Sequence, residues 1–472
     1  MMQVRILSIV LLGALLFAGC APSLPTHPEQ LAYPALDFQP PQVEKLVLDN
    51  GIRLYLKQDK ELPLVQVTAM IGSGAMTTPK EKAGFGGLFG STWRSGGAED
   101  WSPEELDERV DRIAANLGAS MSAYVTQLNL SIRSADIEEG LCILGSMLLL
   151  PHFNEDKLDL ARLKAKEAVR RQNDNPGSIA RRLLGAALYP DHYIGYSPTL
   201  ESLDQISRDD LTAFHQQYFA PNNLWLAISG DFDREELLDI LDDNFGQWES
   251  KEVAPQPLAP VEPTPTGGIQ VVNKDLPQTT ILIGDLGLTK DHPDQYAVRV
   301  MNYILGGGGF NSRLMREIRS NQGLAYSVYS YFQVGRRLPG QFVAGTETKS
   351  ATVGRSVSLM RDIMTQIQED PVSEEELTLA KESQINSFVF GFENTHSVVS
   401  QQMRLDFYDY PPDYLANYRD RIAAVSIEDV QRVAREFLRL DRQKIVLVGE
   451  SDVFLDDLEA LKLPVEMVEL DE

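Results

Sequence analysis

Residues 319 to 326 read R-S-N-Q-G-L-A-Y. Arg319 and Tyr326 bring a guanidinium and a phenol, both hydrogen-bond donors at neutral pH and neither a base there. Two such donors held together suit the charge that develops on an oxyanion, or the fixing of a carbonyl. The surrounding residues read as a helix from Arg313 to about Ser320, a stop at Gly323 and a strand over Ala325–Phe332. Just upstream lie Leu305 and the glycines Gly306, Gly307, Gly308 and Gly309. A structural role is the alternative: Arg319 capping its own helix and Tyr326 filling a core.

Metal chemistry has a different look in this chain. The six histidines are His27, His152, His192, His215, His292 and His396, and the closest two, His192 and His215, stand 23 residues apart. No two share a helical turn, whereas a zinc site needs several nitrogen or sulfur ligands. His192 follows a Tyr-Pro-Asp turn and reads as a surface or loop residue. Only two cysteines occur, Cys20 and Cys142, and the apolar segment around Cys142 makes it a buried core thiol.

The 472 residues are 43% hydrophobic, enough for more than one core, and the formal net charge is −25. Such an acidic surface excludes a phosphate-backbone partner, so no nucleic acid is expected. At the N-terminus Arg5 precedes an apolar run from Ile6 to Phe17 that closes on Ala18-Gly19-Cys20. The run has the length of a signal-peptide core. Small residues before a cysteine resemble the lipobox of bacterial lipoproteins, which implies cleavage before Cys20 and lipidation of that residue. An ordinary secretory signal with a chance cysteine is the alternative. Ala21, where an Asp would mark the inner membrane, favours the periplasmic face of the outer membrane in a bacterial cell envelope.

The elements that must position Arg319 and Tyr326 occur twice. Ile206-Ser207-Arg208-Asp209-Asp210-Leu211 opens a helix followed by a strand to Gly230; Val425-Ser426-Ile427-Glu428-Asp429-Val430 opens another, with a strand to Gly449. Leu158, Leu160 and Ala161 recur as Leu377, Leu379 and Ala380, and the offset is 219 residues throughout. Ser or Asn caps followed by acids begin these helices, as the helix dipole favours. VEKLVLDNGIRLYLK reads as a hairpin about Asn50-Gly51. Amphipathic patterns cover Glu104–Leu117 and Asn154–Arg171. Five prolines between 255 and 265 mark a linker. The expected organisation is residues 1–19 signal peptide, 20–42 tether, 43–250 first domain, 251–268 linker and 269–472 second domain. The fold class is α+β: two duplicated domains, each a mainly antiparallel sheet with helices packed on one face.

The Arg319/Tyr326 spacing, the glycine-rich segment and the duplication resemble the pitrilysin/insulinase-type zinc metallopeptidases, processing-peptidase-like, over essentially the whole mature chain. The resemblance implies that Arg319 and Tyr326 reach a reaction centre. It also implies a first-domain H-x-x-E-H helix, with a later Glu as a further ligand. Here G-F-G-G-L-F-G-S begins at Gly84, so Gly87, Gly90 and Ser91 stand where His, Glu and His belong, and the later Glu falls at Ala168, beside Glu167. These four are lost zinc-site positions, and no metal or cofactor is expected on this chain.

Three functions follow. The chain is the non-metal subunit of a heterodimeric zinc peptidase, giving Arg319 and Tyr326 to a site whose zinc sits on a homologous H-x-x-E-H partner that cleaves peptides or unfolded segments. Alternatively it is an inactive lipid-anchored scaffold or peptide-binding protein, whose sheet edge near Gly118–Thr126 adds a peptide strand. The third reading is an envelope structural protein.

Overall fold

The computed structural model describes residues 38–263 and 266–470. The expected signal peptide, the lipidation site Cys20 and His27 lie outside the described residues.

The hairpin forms as its turn chemistry requires: β1 (Glu44–Val47) pairs antiparallel with β2 (Arg53–Gln58), and Gly51 takes φ 92°. With β3 (Leu64–Ile71), β4 (Asn116–Met121), β5 (Thr126–Arg133) and β6 (Leu224–Gly230) they form a sheet of order β1-β2-β6-β3-β5-β4. The β2–β6 pairing is parallel and the others are antiparallel. The second sheet comprises β7 (Gly268–Asn273), β8 (Gln278–Leu286), β9 (Ala325–Phe332), β10 (Gln341–Lys349), β11 (Lys444–Gly449) and β12 (Val465–Met467). Its order is β12-β7-β11-β8-β10-β9. Thus β4 and β9 occupy the same edge of their respective sheets.

In the first half the helices are α1 (Phe85–Ser95), α2 (Pro103–Arg112), α3 (Ile137–Leu149), α4 (Glu155–Arg170), α5 (Pro176–Leu188), α6 (Leu200–Asp204), α7 (Arg208–Tyr218) and α8 (Arg234–Phe245). The second half has α9 (Gln295–Asn302), α10 (Val353–Glu369), α11 (Glu374–Ser387), α12 (Thr395–Phe407), α13 (Tyr414–Ala423) and α14 (Ile427–Phe437). The duplication is present at the level of single residues: α4 and α11, α5 and α12, and α7 and α14 all begin 219 residues apart. Ser207 with Asp210 and Ser426 with Asp429 close the same capping box on α7 and α14.

Each sheet buries one face under its own helices. Leu54, Val67, Phe89, Trp93 and Leu128 belong to the first core, and Ile281, Val298, Phe342 and Met360 to the second. The opposite faces are covered by exchange. Ile179, Leu184 and Leu188 of α5 pack on Leu282, Val343 and Val446 of the second sheet. Val399, Met403 and Phe407 of α12 pack on Tyr55, Met70 and Ala227 of the first. Full burial of such side chains stabilises by about 1.5–3 kcal/mol each, so the two halves are firmly joined.

Three sequence expectations need correcting. The helix expected over Glu104–Leu117 stops at Arg112; Ala114 turns the chain at φ 49° and Asn116 begins β4. Leu106, Val110, Ile113 and Leu117 all enter the first core, so the spacing looked helical through the turn. Cys142 sits half-buried on α3 and is not in the core. His192 lies in the loop after α5 but is 5% exposed, its ring 4.4 Å from that of Tyr193.

Candidate functional site

The helix that carries Arg319 widens to a π-type coil over Met315–Asn321, a geometry that recurs at functional sites. It ends as the sequence suggests: Gly323 adopts φ 63°, and the Leu324 N–H returns to the Ile318 carbonyl at 2.9 Å. A bidentate ion pair anchors its start, with Arg313 Nε and Nη2 at 2.8 and 2.7 Å from Glu376 of α11. Burial opposes ionisation of Glu376, yet hydrogen bonds from Arg313 and the Ser373 backbone, with the charges of Arg313 and Arg316, lower its pKa to about 2.

Tyr326 lies on edge strand β9 at a bulge, where Tyr326 and Ser327 together oppose Glu347 of β10. Thr346 and Thr348 hold both ends of the bulge, donating to the carbonyls of Ser327 and Leu324 at 2.7 Å. The glycine-rich segment brings its own π turn, Tyr303–Gly307, against this strand. A Cβ on Gly306 would fall 2.5 Å from Ser330 N, so only glycine permits that approach.

These supports place the Arg319 guanidinium carbon 4.4 Å from the Tyr326 ring centroid and 4.7 Å from that of Phe310. Tyr326 is 81% exposed and Phe310 67%. Neither contact of the structural alternative is present among the described residues. Tyr326 fills no core, and among the described residues no hydrogen bond or ion pair engages the Arg319 guanidinium. Stacking on two rings restricts the guanidinium while leaving its N–H groups free to donate.

The other candidate positions meet elsewhere. Gly87, Gly90 and Ser91 of α1, Gly118 and Ala119 of β4, and Ala168 of α4 line one cleft of about 1050 Å³. Leu160, Ala161, Ala165 and Val169 give its α4 wall an apolar stretch, beside Lys157 and Lys164 of the same helix. Arg94 also lines it, donating from Nε to the Leu117 carbonyl and from Nη1 to Asp107, both at 2.8 Å. Glu167 does not line the cleft; its carboxylate lies 3.6 Å from Arg170. The four positions expected to have lost zinc ligands thus share one cleft, and they offer a single hydroxyl, on Ser91. That donor set does not fit zinc, which takes imidazole, thiolate or carboxylate. Arg319 and Tyr326 do not line this cleft.

Among the described residues, His292, Asp294 and Glu436 form the one cluster with metal-ligand spacing. Arg432 donates to Asp294 at 2.8 and 2.5 Å and lies 3.7 Å from Glu436, so a guanidinium already supplies the positive charge there. His215 and His152 each hold a backbone carbonyl. His215 Nε2 lies 2.8 Å from the Leu148 carbonyl and His152 Nε2 2.5 Å from that of Glu99.

Two duplicated α+β domains define the class: a peptidase-like chain with an exposed Arg/Tyr pair and without metal ligands at the corresponding first-domain helix. The chain belongs to the insulinase peptidase family, M16. Residues 53–198 match the family described as "Insulinase (Peptidase family M16)" and residues 205–384 match "Peptidase M16 inactive domain". It is similar to "Uncharacterized zinc protease YmxG" of Bacillus subtilis, at 24% identity over 84% of this chain and 96% of that protein. It is also similar to "Non-peptidase homolog YmxG" of Helicobacter pylori, at 23% identity over 83% and 90%. Among solved structures, a peptidase M16 inactive domain from Pseudomonas fluorescens superposes with a TM-score of 0.77 at 24% identity, covering 86% of this chain and 98% of that one. A protease from Helicobacter pylori gives 0.76 at 18% identity, covering 87% and 100%. Both share the two-domain fold.

Proposed function

We propose that this chain is the non-metal subunit of a heterodimeric zinc peptidase acting on peptides or unfolded protein segments. One observation carries the reading: Arg319 is stacked between Tyr326 and Phe310 on an exposed edge, its N–H groups without partners among the described residues. Donors held in place beforehand stabilise an oxyanion without reorganising at the moment of reaction. In this reading the Arg319 guanidinium and the Tyr326 hydroxyl donate to the scissile carbonyl oxygen as it gains charge. The metal belongs to a homologous partner with an intact H-x-x-E-H. Lipidation of Cys20 would tether the complex to the periplasmic face of the outer membrane.

The test is to purify this chain alone, and with such a partner, and to measure zinc content and cleavage of an unfolded peptide. The mixture is expected to be active and this chain alone inactive. Arg319→Ala or Tyr326→Phe should lower turnover by about 10²–10³. Activity of this chain alone would overturn the reading; an active mixture indifferent to both substitutions would remove the donation.

A second reading has its own support. Edge strand β4 presents Gly118 and Ala119 to the 1050 Å³ cleft, and a Cβ on Gly118 would meet nothing within 4 Å. An extended peptide could pair there without turnover. Binding with no cleavage in any combination of subunits would select it.

A further inference from the structure

A second cavity, of about 490 Å³, lies where α12 crosses the outer face of the first sheet. Thr68 of β3 and Asn129 of β5 form its floor; Arg336, Arg404, Gln401 and the tyrosines 408, 410 and 414 form its walls. His396 is built into the floor, with Nε2 2.9 Å from Thr68 Oγ1 and Nδ1 3.0 Å from Ser229 Oγ. Burial, aided by the charge of Arg404, holds its pKa down at about 4, so it stands there neutral.

The charge in this cavity is unbalanced. Among the described residues no hydrogen bond or ion pair engages the guanidinium of Arg404 or of Arg336; Arg336 only stacks on Tyr408, 4.7 Å from its centroid. Burial, and then the charge of Arg336, lowers the pKa of Arg404, whereas a neighbouring carboxylate would raise it. Three nearby acids are engaged elsewhere: Asp291, whose charge reaches Tyr410, lies 2.5 Å from Lys290. Asp406 accepts from Tyr55 at 2.8 Å and lies 2.7 Å from Lys45, and Asp413 accepts from Asn417. In a chain of net charge −25, two guanidiniums lining one cavity without a carboxylate on its walls mark a place for an anion. Gln401 adds a complementary demand: its Oε1 is buried without a donor among the described residues.

We propose that this cavity binds the C-terminal residue of a peptide. The carboxylate sits between Arg336 and Arg404, the backbone N–H of the same residue donates to Gln401 Oε1, and its side chain lies against Tyr410 and Tyr414. The site is separate from Arg319 and Tyr326 and requires neither a partner chain nor cleavage.

Isothermal titration of the full chain with acetyl-Ala-Ala-Tyr as the free acid, as its C-terminal amide, and with inorganic phosphate tests this. The free acid is expected to bind, and the amide about tenfold more weakly or worse, as loss of a charge-assisted hydrogen bond implies. Arg404→Gln and Arg336→Gln should each weaken the acid by a similar factor; Arg336 is exposed, so its variant should keep the fold where Arg404→Gln does not. Equal binding of acid and amide, no binding of either, or indifference to Arg336→Gln overturns the proposal. Binding of phosphate that the peptide acid fails to displace would make the cavity a free-oxyanion site and overturn the peptide assignment.

Discussion

Gly90 stands so close to Ser120 that a Cβ on it would lie 3.1 Å from the Ser120 Cα, whereas a Cβ on Gly87, one turn earlier, would meet nothing within 4 Å. Both lie in α1, where glycine costs about 0.5–1 kcal/mol relative to alanine. Gly87→Ala should therefore recover most of that amount, and Gly90→Ala distinctly less, because the backbone of β4 must yield. Urea unfolding of the two variants decides it. Equal gains would mean that α1 does not press on β4 as described.

The Arg313–Glu376 pair ties the Arg319 helix to α11, with the two side chains only 14% and 18% exposed. Glu376→Gln should cost about 1.5–3 kcal/mol at neutral pH, the range for a lost hydrogen bond to a charged group. Because the folded-state pKa is depressed to about 2, the stabilisation is complete above the ordinary carboxylate range and fades as the pH falls toward 2. The gap between parent and variant in denaturant titrations should narrow over that window; a gap independent of pH would refute the ionic origin.

His215 moves stability through a different window. Burial lowers its pKa from 6.5 to about 4, so between those values the unfolded chain binds a proton that the folded chain refuses. Its contribution is intact above pH 6.5 and is lost as the pH falls toward 4, about 3 kcal/mol in all. His396, with a pKa of about 4 as well, acts in the same direction. His215→Gln keeps an N–H for the Leu148 carbonyl but cannot be protonated, so its stability should fall less steeply between pH 6.5 and 4. Parallel pH profiles would contradict the assignment.

Much of this fold could be read from the chain because local chemistry and global repeat coincide. The Ser207 and Ser426 caps, the Asn50-Gly51 turn and the 3.6-residue spacing of Leu158 and Ala161 each fix an element by short-range physics. What escaped depends on partners distant in sequence. Nothing local tells Leu184 to seek Val446, or brings the buried His192 ring to the Ala259 carbonyl 67 residues on. The bulge at Tyr326 comes from the β10 threonines, and the π-type coil at Arg319 has no composition of its own. At the candidate site, residue types and spacing gave the names, while exposure and the stacking on Phe310 arise only in the folded chain.

Cleavage of the chain between 251 and 263, where it forms neither helix nor strand, offers a fourth test. The two fragments should co-elute at the size of the intact protein and part only in denaturant; separation under native conditions would contradict the packing of α5 and α12.

That exchange also bears on descent. A half-length forebear that laid this helix outward, as α5 and α12 do here, would cover a second copy's sheet and have its own covered in return. In one polypeptide the two roles are joined, so a mutation in either half is inherited together with the half that must accommodate it.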